Sequence, residues 1–137
     1  MRVVVTVAVL LMVYFPAALF LNKSPLPDST ILPRPFQRFE NSNAYIFYPV
    51  IPGAIPDNKD NPEQSAALLY ENEKILGPAH SVHMDVTVVG RGHYSFWQHS
   101  TTALIFSTSD NSDPNTNGRV YRLFDPNARD PFEAQRR

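Results

Sequence analysis

The chain has 137 residues, room for one small domain and an anchor. Its 12 Lys and Arg stand against 13 Asp and Glu, a formal net charge of -1, which argues against a nucleic-acid or polybasic membrane-surface binder, since these need a cationic field. There is no Cys, so disulfides, thiolate catalysis and Cys-based zinc sites are excluded as well.

Val3 to Leu21 is a run of 19 residues without a charge. At about 1.5 Å per residue a helix of that length just spans a hydrocarbon core of roughly 30 Å. A cleaved signal peptide has a shorter apolar stretch and a small-x-small cleavage site, and Ala17-Ala18-Leu19 fits that site poorly. The expectation is one uncleaved N-terminal transmembrane helix within residues 1–22. Signal-like N-terminal spans commonly export the chain beyond them, so a single-pass protein with an extracytoplasmic C-terminal domain is expected, against a Lys/Arg count that favours the cytoplasm.

Residues 23–43 read as a Pro-rich linker, because Pro lacks an N–H and biases its predecessor to extended backbone. Ala44 to Ile51 is aromatic and β-branched and reads as the first strand of a β domain over 44–125, at an edge because Pro49 cannot donate to a ladder. Ser65–Tyr70 and Lys74–Leu76 flank Glu71-Asn72-Glu73 as a hairpin, with a helix through Glu63–Ile75 as the alternative. Ser81–Val86 suits one helical turn, and the β-branched Val86–Val89 suits a strand. Gly90-Arg91-Gly92 breaks the chain. His93–Gln98, Thr102–Ser107 and Val120–Phe124 then read as three strands of a meander. Residues 126–137 are a polar tail. The fold class is all-β: a small antiparallel sandwich or partly open barrel.

Three segments together carry a resemblance: Leu76-Gly-Pro-Ala-His80-Ser-Val-His83-Met-Asp-Val86, Gly90-Arg-Gly-His-Tyr94-Ser-Phe-Trp97 and Phe106-Ser-Thr-Ser-Asp110-Asn-Ser-Asp-Pro-Asn-Thr-Asn117-Gly-Arg-Val-Tyr121. Over about Ala44 to Leu123 the chain resembles an uncharacterised module of bacterial proteins of surface-polysaccharide metabolism. That module often sits beside glycosyltransferase or methyltransferase domains. Where it carries His before the Trp, this chain has Phe96.

Asp113-Pro-Asn115-Thr-Asn117-Gly118 fits the first half of a calcium loop, but position 12 is Phe124 rather than Glu, so the loop reads first as a hairpin turn in which Asn117-Gly118 supplies φ > 0. His80, His83 and Asp85, with His93 or His99, hold metal only if they converge. No Ser-His-Asp spacing, phosphate loop or nucleophile elbow is present. Sugar binding needs a flat aromatic ringed by planar hydrogen-bonding groups. Arg91, Tyr94, Trp97, Asp110, Asn111, Asn117 and Arg119 are residues of that kind, while a lone Trp in a small domain is also an ordinary core residue. The reading is a membrane-tethered, non-catalytic accessory domain that recognises a surface glycan, with no cofactor, no metal and no nucleic-acid partner. Its alternatives are a glycan-modifying enzyme with a His/Asp site and a docking subunit of a membrane complex.

Overall fold

The computed structural model describes residues 30–128 apart from Glu40 and Val50. Among the described residues eight strands and one short helix run in order: β1 (Thr30–Ile31), β2 (Gln37–Arg38), β3 (Tyr45–Phe47), β4 (Leu68–Glu71), β5 (Lys74–Ile75), α1 (His83–Val88), β6 (Tyr94–Gln98), β7 (Thr102–Phe106) and β8 (Tyr121–Phe124). They form two four-stranded antiparallel sheets. The first has the order β1-β8-β4-β5 and the second β2-β3-β7-β6. The all-β expectation holds in its sandwich form. The apolar run at 3–21 and the end of the polar tail lie outside the described residues, and among the described residues no helix is long and apolar enough to cross a membrane.

The core follows from strand alternation. Leu69, Tyr121 and Leu123 point inward from the first sheet, and Tyr45, Tyr94, Phe96, Leu104 and Phe106 from the second. Phe36 joins them from the segment that crosses between sheets. Its ring meets Phe106, Tyr121 and Phe47 edge-on at 5.2, 5.7 and 5.8 Å, the T-shaped geometry that aromatic quadrupoles favour.

Four sequence expectations are corrected. The stretch 23–43 is not all linker, since β1 and β2 lie within it and Leu32 and Phe36 are buried in the core. Pro33 and Pro35 sit outside the two-residue ladders and leave those hydrogen bonds intact. Consequently β3 is neither first nor at an edge: it pairs with β2 on one side and β7 on the other. Val86–Val89 is not a strand. The β-branched preference is overridden because Val86, fully buried, packs with Ala44 and Ile105 on the outer face of the second sheet. Finally, β6, β7 and β8 are not a meander. β6 and β7 form a hairpin, but β8 crosses to the other sheet, between β1 and β4.

That crossing makes the loop 107–120 an inter-sheet connection rather than a hairpin turn. Only Gly118 in the pair Asn117-Gly118 has positive φ, at 73°. The Glu71-Asn72-Glu73 hairpin stands as expected between β4 and β5, with Asn72 in the left-handed region at φ 55°.

Candidate functional site

The residues expected to bind a ligand separate into four places. Tyr94 is core: it is 1% exposed and its hydroxyl donates to the Ala67 carbonyl at 3.0 Å, so no sugar can stack on it. Arg91 is an exposed turn residue at φ 54°. Asn111 accepts from the Arg91 N–H at 2.7 Å and donates to the Val89 carbonyl at 3.2 Å, which ties the loop to the end of α1. Trp97 is not core. It lies half-buried on the outer face of β6, its ring 5.8 Å from that of His83 and nearly perpendicular to it. Partial burial holds the His83 pKa below its ordinary value.

Asp110, Asn117 and Arg119 do converge, around a carboxylate that sequence reading assigns to a turn. Glu71, 6% exposed, accepts from the Tyr121 hydroxyl (2.9 Å), the Ser109 hydroxyl (2.5 Å), the Ser109 N–H (3.3 Å) and Arg119 Nη1 (3.2 Å). Arg119 grips Asp110 with two parallel bonds of 2.8 and 2.6 Å. Asn117 donates to the Tyr121 hydroxyl at 2.8 Å and to Ser112 at 3.1 Å. Burial disfavours the charged form of Glu71, but the bonds from Ser109, Tyr121 and Arg119 outweigh it and leave its pKa below the usual value. The Arg119 fork and Ser112 hold Asp110 far below the carboxylate range. Burial, with Glu71 beside it, pushes the Tyr121 pKa up.

The same loop reaches the crossing segment of residues 34–36. Asn115 pairs reciprocally with the Phe36 backbone, accepting at 2.8 Å and donating at 3.1 Å, and Arg34 Nε donates to the Pro114 carbonyl at 2.8 Å. Asp113 caps the Asn115 N–H at 2.8 Å. The polar residues of this loop are therefore engaged with one another and with the backbone. The loop clasps the two sheets, and its side chains are committed to that task.

What remains open surrounds β6. An open groove of about 670 Å³ is lined by Tyr48, Pro49, Ile51, Ala54, Phe96, Thr101 and Thr102. It lies where β3 runs out beside the turn between β6 and β7. Phe96 closes the groove toward the core, and Tyr48, 54% exposed, offers its ring. Thr101 is exposed, and Thr102 donates to Gln98 at 2.9 Å while its oxygen remains an acceptor.

The outer edge of β6 carries the other arrangement. Asp57 bridges β6 beside Trp97, its N–H donating to Phe96 O at 2.9 Å and its carbonyl accepting from Gln98 N at 2.7 Å. Ser81 and Pro78 cover the same edge at Tyr94. This places the Asp57 carboxylate, 1% exposed, 2.7 Å from His80 Nδ1, with its other oxygen accepting from the Ser65 N–H at 2.7 Å. The carboxylate at Nδ1 orients the imidazole and leaves Nε2 on the far side of the ring. His80 itself has φ 54°, left-handed backbone uncommon for a residue with a Cβ. Sequence reading misses Asp57 because it sits in the polar run Pro56–Gln64, where acidic residues are ordinary turn formers.

The His residues weighed as a metal set do not assemble. His80 pairs with Asp57, His83 lies against Trp97, and His93 Nδ1 meets the Gly90 carbonyl at 2.5 Å. Among the described residues no three His, Asp or Glu side chains gather in metal-holding geometry. No family model, no curated protein and no solved structure matches this chain.

Proposed function

We propose that this is a membrane-tethered, non-catalytic domain that recognises a surface glycan in the groove beside β6. The observation that carries the reading is Tyr48: a half-exposed aromatic lining a groove closed by Phe96 and rimmed by the Thr101 and Thr102 hydroxyls. A pyranose presents an apolar face to such a ring and hydroxyls to such a rim. The resemblance of the chain to a module of surface-polysaccharide proteins supports the same ligand class. The reading is tested on a glycan array with the full chain in detergent. Tyr48→Ala lowers binding about tenfold or more, the loss of roughly 1.4 kcal/mol of stacking and burial, while Tyr48→Phe retains it. Trp97→Ala leaves it unchanged. An array without signal, or Tyr48→Ala binding like the parent chain, defeats the reading.

A second reading, a glycan-modifying enzyme, is favoured by one observation: a buried carboxylate orienting a part-exposed imidazole is the arrangement of a general base. Its Nε2 would take a proton from water or a sugar hydroxyl. Turnover of a glycan that is lost in His80→Ala and reduced in Asp57→Asn would replace the first reading with this one.

A further inference from the structure

The turn between β2 and β3 forms a second open site, at the end of β3 away from the groove. It is a polar cleft of about 590 Å³ between that turn and the last turn of α1, lined by Arg38, Asn41, Ser42, Asn43, Thr87 and Val88. Both walls are fixed by hydrogen bonds. The Phe39 N–H donates to the Ala44 carbonyl at 3.1 Å, and the Ser42 hydroxyl donates to the Phe39 carbonyl and accepts from the Ala44 N–H, each at 3.1 Å. Asn43 ties this turn to the helix: its N–H donates to the Thr87 carbonyl at 2.9 Å and its Nδ2 to the Val88 carbonyl at 3.0 Å. Asn41, at the tip, takes φ 54°, a left-handed backbone that Asn tolerates.

Arg38 is held in one orientation at this cleft. Its Nε donates to the Ser42 carbonyl at 3.1 Å, and its guanidinium carbon lies 5.9 Å from the centre of the Tyr45 ring, within cation–π range. Tyr45 is buried, so that ring is a fixed surface. Among the described residues no carboxylate pairs with Arg38, whereas Arg119 is committed to Asp110 and Glu71, and Arg34 to the carbonyls of Pro114 and Arg119. The Nη1–Nη2 edge of a guanidinium is a planar fork that matches the two oxygens of a carboxylate. Beside it stand the amides of Asn41 and Asn43 and the hydroxyl of Thr87, whose proton goes to the Met84 carbonyl and whose oxygen is left as an acceptor. Val88, 67% exposed, adds an apolar patch to the rim. We propose that this cleft binds a sugar that carries a carboxylate. The carboxylate lies on the Arg38 fork, ring hydroxyls bond Asn41, Asn43 and Thr87, and the C–H face of the ring rests on Val88. A free carboxylate leaves the amides and the hydroxyl unused, and a neutral sugar leaves the fork unused, so the cleft matches the two groups on one molecule. The site shares no residue with the groove beside β6 and stands independently of the ligand proposed there.

The test is an NMR titration of the isotope-labelled full chain in detergent micelles with glucuronate, glucose, acetate and inorganic phosphate, one at a time. The expected result is a saturable shift of the Asn41, Asn43 and Thr87 amides with glucuronate, at a concentration at least about tenfold below that needed for any of the other three. Arg38→Lys keeps the positive charge but loses the fork, and weakens glucuronate binding about tenfold. Arg38→Ala abolishes saturation, and Tyr48→Ala, in the groove, leaves it unchanged. The absence of a saturable shift with glucuronate overturns the proposal. Acetate or phosphate binding as tightly as glucuronate overturns it by showing an adventitious ion only, and glucose binding as tightly shows that the carboxylate is not read. Glucuronate shifts at Tyr48 and Thr102 in place of the cleft overturn it by assigning the ligand to the groove. The ligand series decides the question in the parent chain, and unchanged amide positions across β6 and β7 in Arg38→Lys establish that the variant keeps the fold.

Discussion

Glu71→Ala should be among the most damaging single substitutions in the domain. The carboxylate accepts four hydrogen bonds, from the Tyr121 and Ser109 hydroxyls, the Ser109 N–H and Arg119. Bonds to a charged acceptor contribute about 1.5–3 kcal/mol each, but they do not add, and the Arg119 arm is discounted because Arg119 is 29% exposed and also held by Asp110. The dominant loss is the acceptor of a Tyr121 hydroxyl that is fully buried. Removing one partner from a buried charged network costs about 3–5 kcal/mol. For a domain of this size that lowers Tm by roughly 12–40 °C. Glu71→Gln keeps an acceptor for Tyr121 and should cost about 1–3 kcal/mol. The pH dependence has a fixed sign. Glu71 has a folded pKa below its ordinary 4.5, so its contribution is present above that value and is lost as pH falls through the folded pKa. The stability gap between parent and Glu71→Gln should therefore close as the pH drops below 4.5. Urea denaturation followed by Trp97 fluorescence reads both quantities, since Trp97 is the only Trp and lies on the other sheet. A Glu71→Ala chain within about 0.5 kcal/mol of the parent, or a gap that widens in acid, refutes the assignment of this loop as the clasp between sheets.

The same geometry sets three further outcomes. Gly90→Ala places a Cβ 2.2 Å from Asn111 Oδ1 and 2.8 Å from the Asn43 Cβ, at φ +66°, and should destabilise by more than about 1 kcal/mol; Asn111→Ala should rescue it only in part, because Asn43 still stands in the way, as a double-mutant cycle in urea will show. Tyr94→Phe strands the Ala67 carbonyl inside the core and should cost about 1–3 kcal/mol, read as a lower urea midpoint with unchanged slope. Asn115→Ala removes both bonds to the Phe36 backbone and should speed amide exchange at Phe36 well ahead of exchange at Phe106 in β7, measured by hydrogen exchange.

Much of the fold is legible in the sequence because strand alternation is local. His93–Gln98 and Thr102–Ser107 show which side chains turn inward, and Tyr94, Phe96, Leu104 and Phe106 do so. The two-residue strands β1 and β2 are not legible, since nothing in Thr30-Ile31 or Gln37-Arg38 distinguishes them from extended linker. They exist because β8 and β3 offer ladders to them, in the first case from the far end of the domain. α1 is legible only in its first turn, which the helical reading of Ser81–Val86 covers, and the strand reading of Val86–Val89 fails for a similar reason. Its Val-rich sequence favours a strand, and what decides otherwise is a seat for Val86 on the far side of the second sheet together with Asn43 and Asn111 bonding the carbonyls at its end.

The loop looks like a binding site in the sequence for a physical reason. Asp, Asn, Ser and Arg at high density look like a surface prepared for a polar ligand. In the fold they are prepared for one another, because a loop that joins two sheets must satisfy many backbone and side-chain polar groups as it passes from one to the other. Asp110 and Arg119 neutralise each other, Asn115 stands in for a strand against Phe36, and Glu71 arrives from β4 to complete the set. Groups so fully engaged have little left to give a ligand without first breaking the clasp. The residues with free capacity come from the quieter parts of the chain: Tyr48 after β3, Thr101 in the turn before β7, and His80, which Asp57 engages through Nδ1 alone. A polar motif that is dense in sequence therefore marks the joint of this sandwich, while Tyr48 and Trp97, near β6, keep ring surface in reach of solvent.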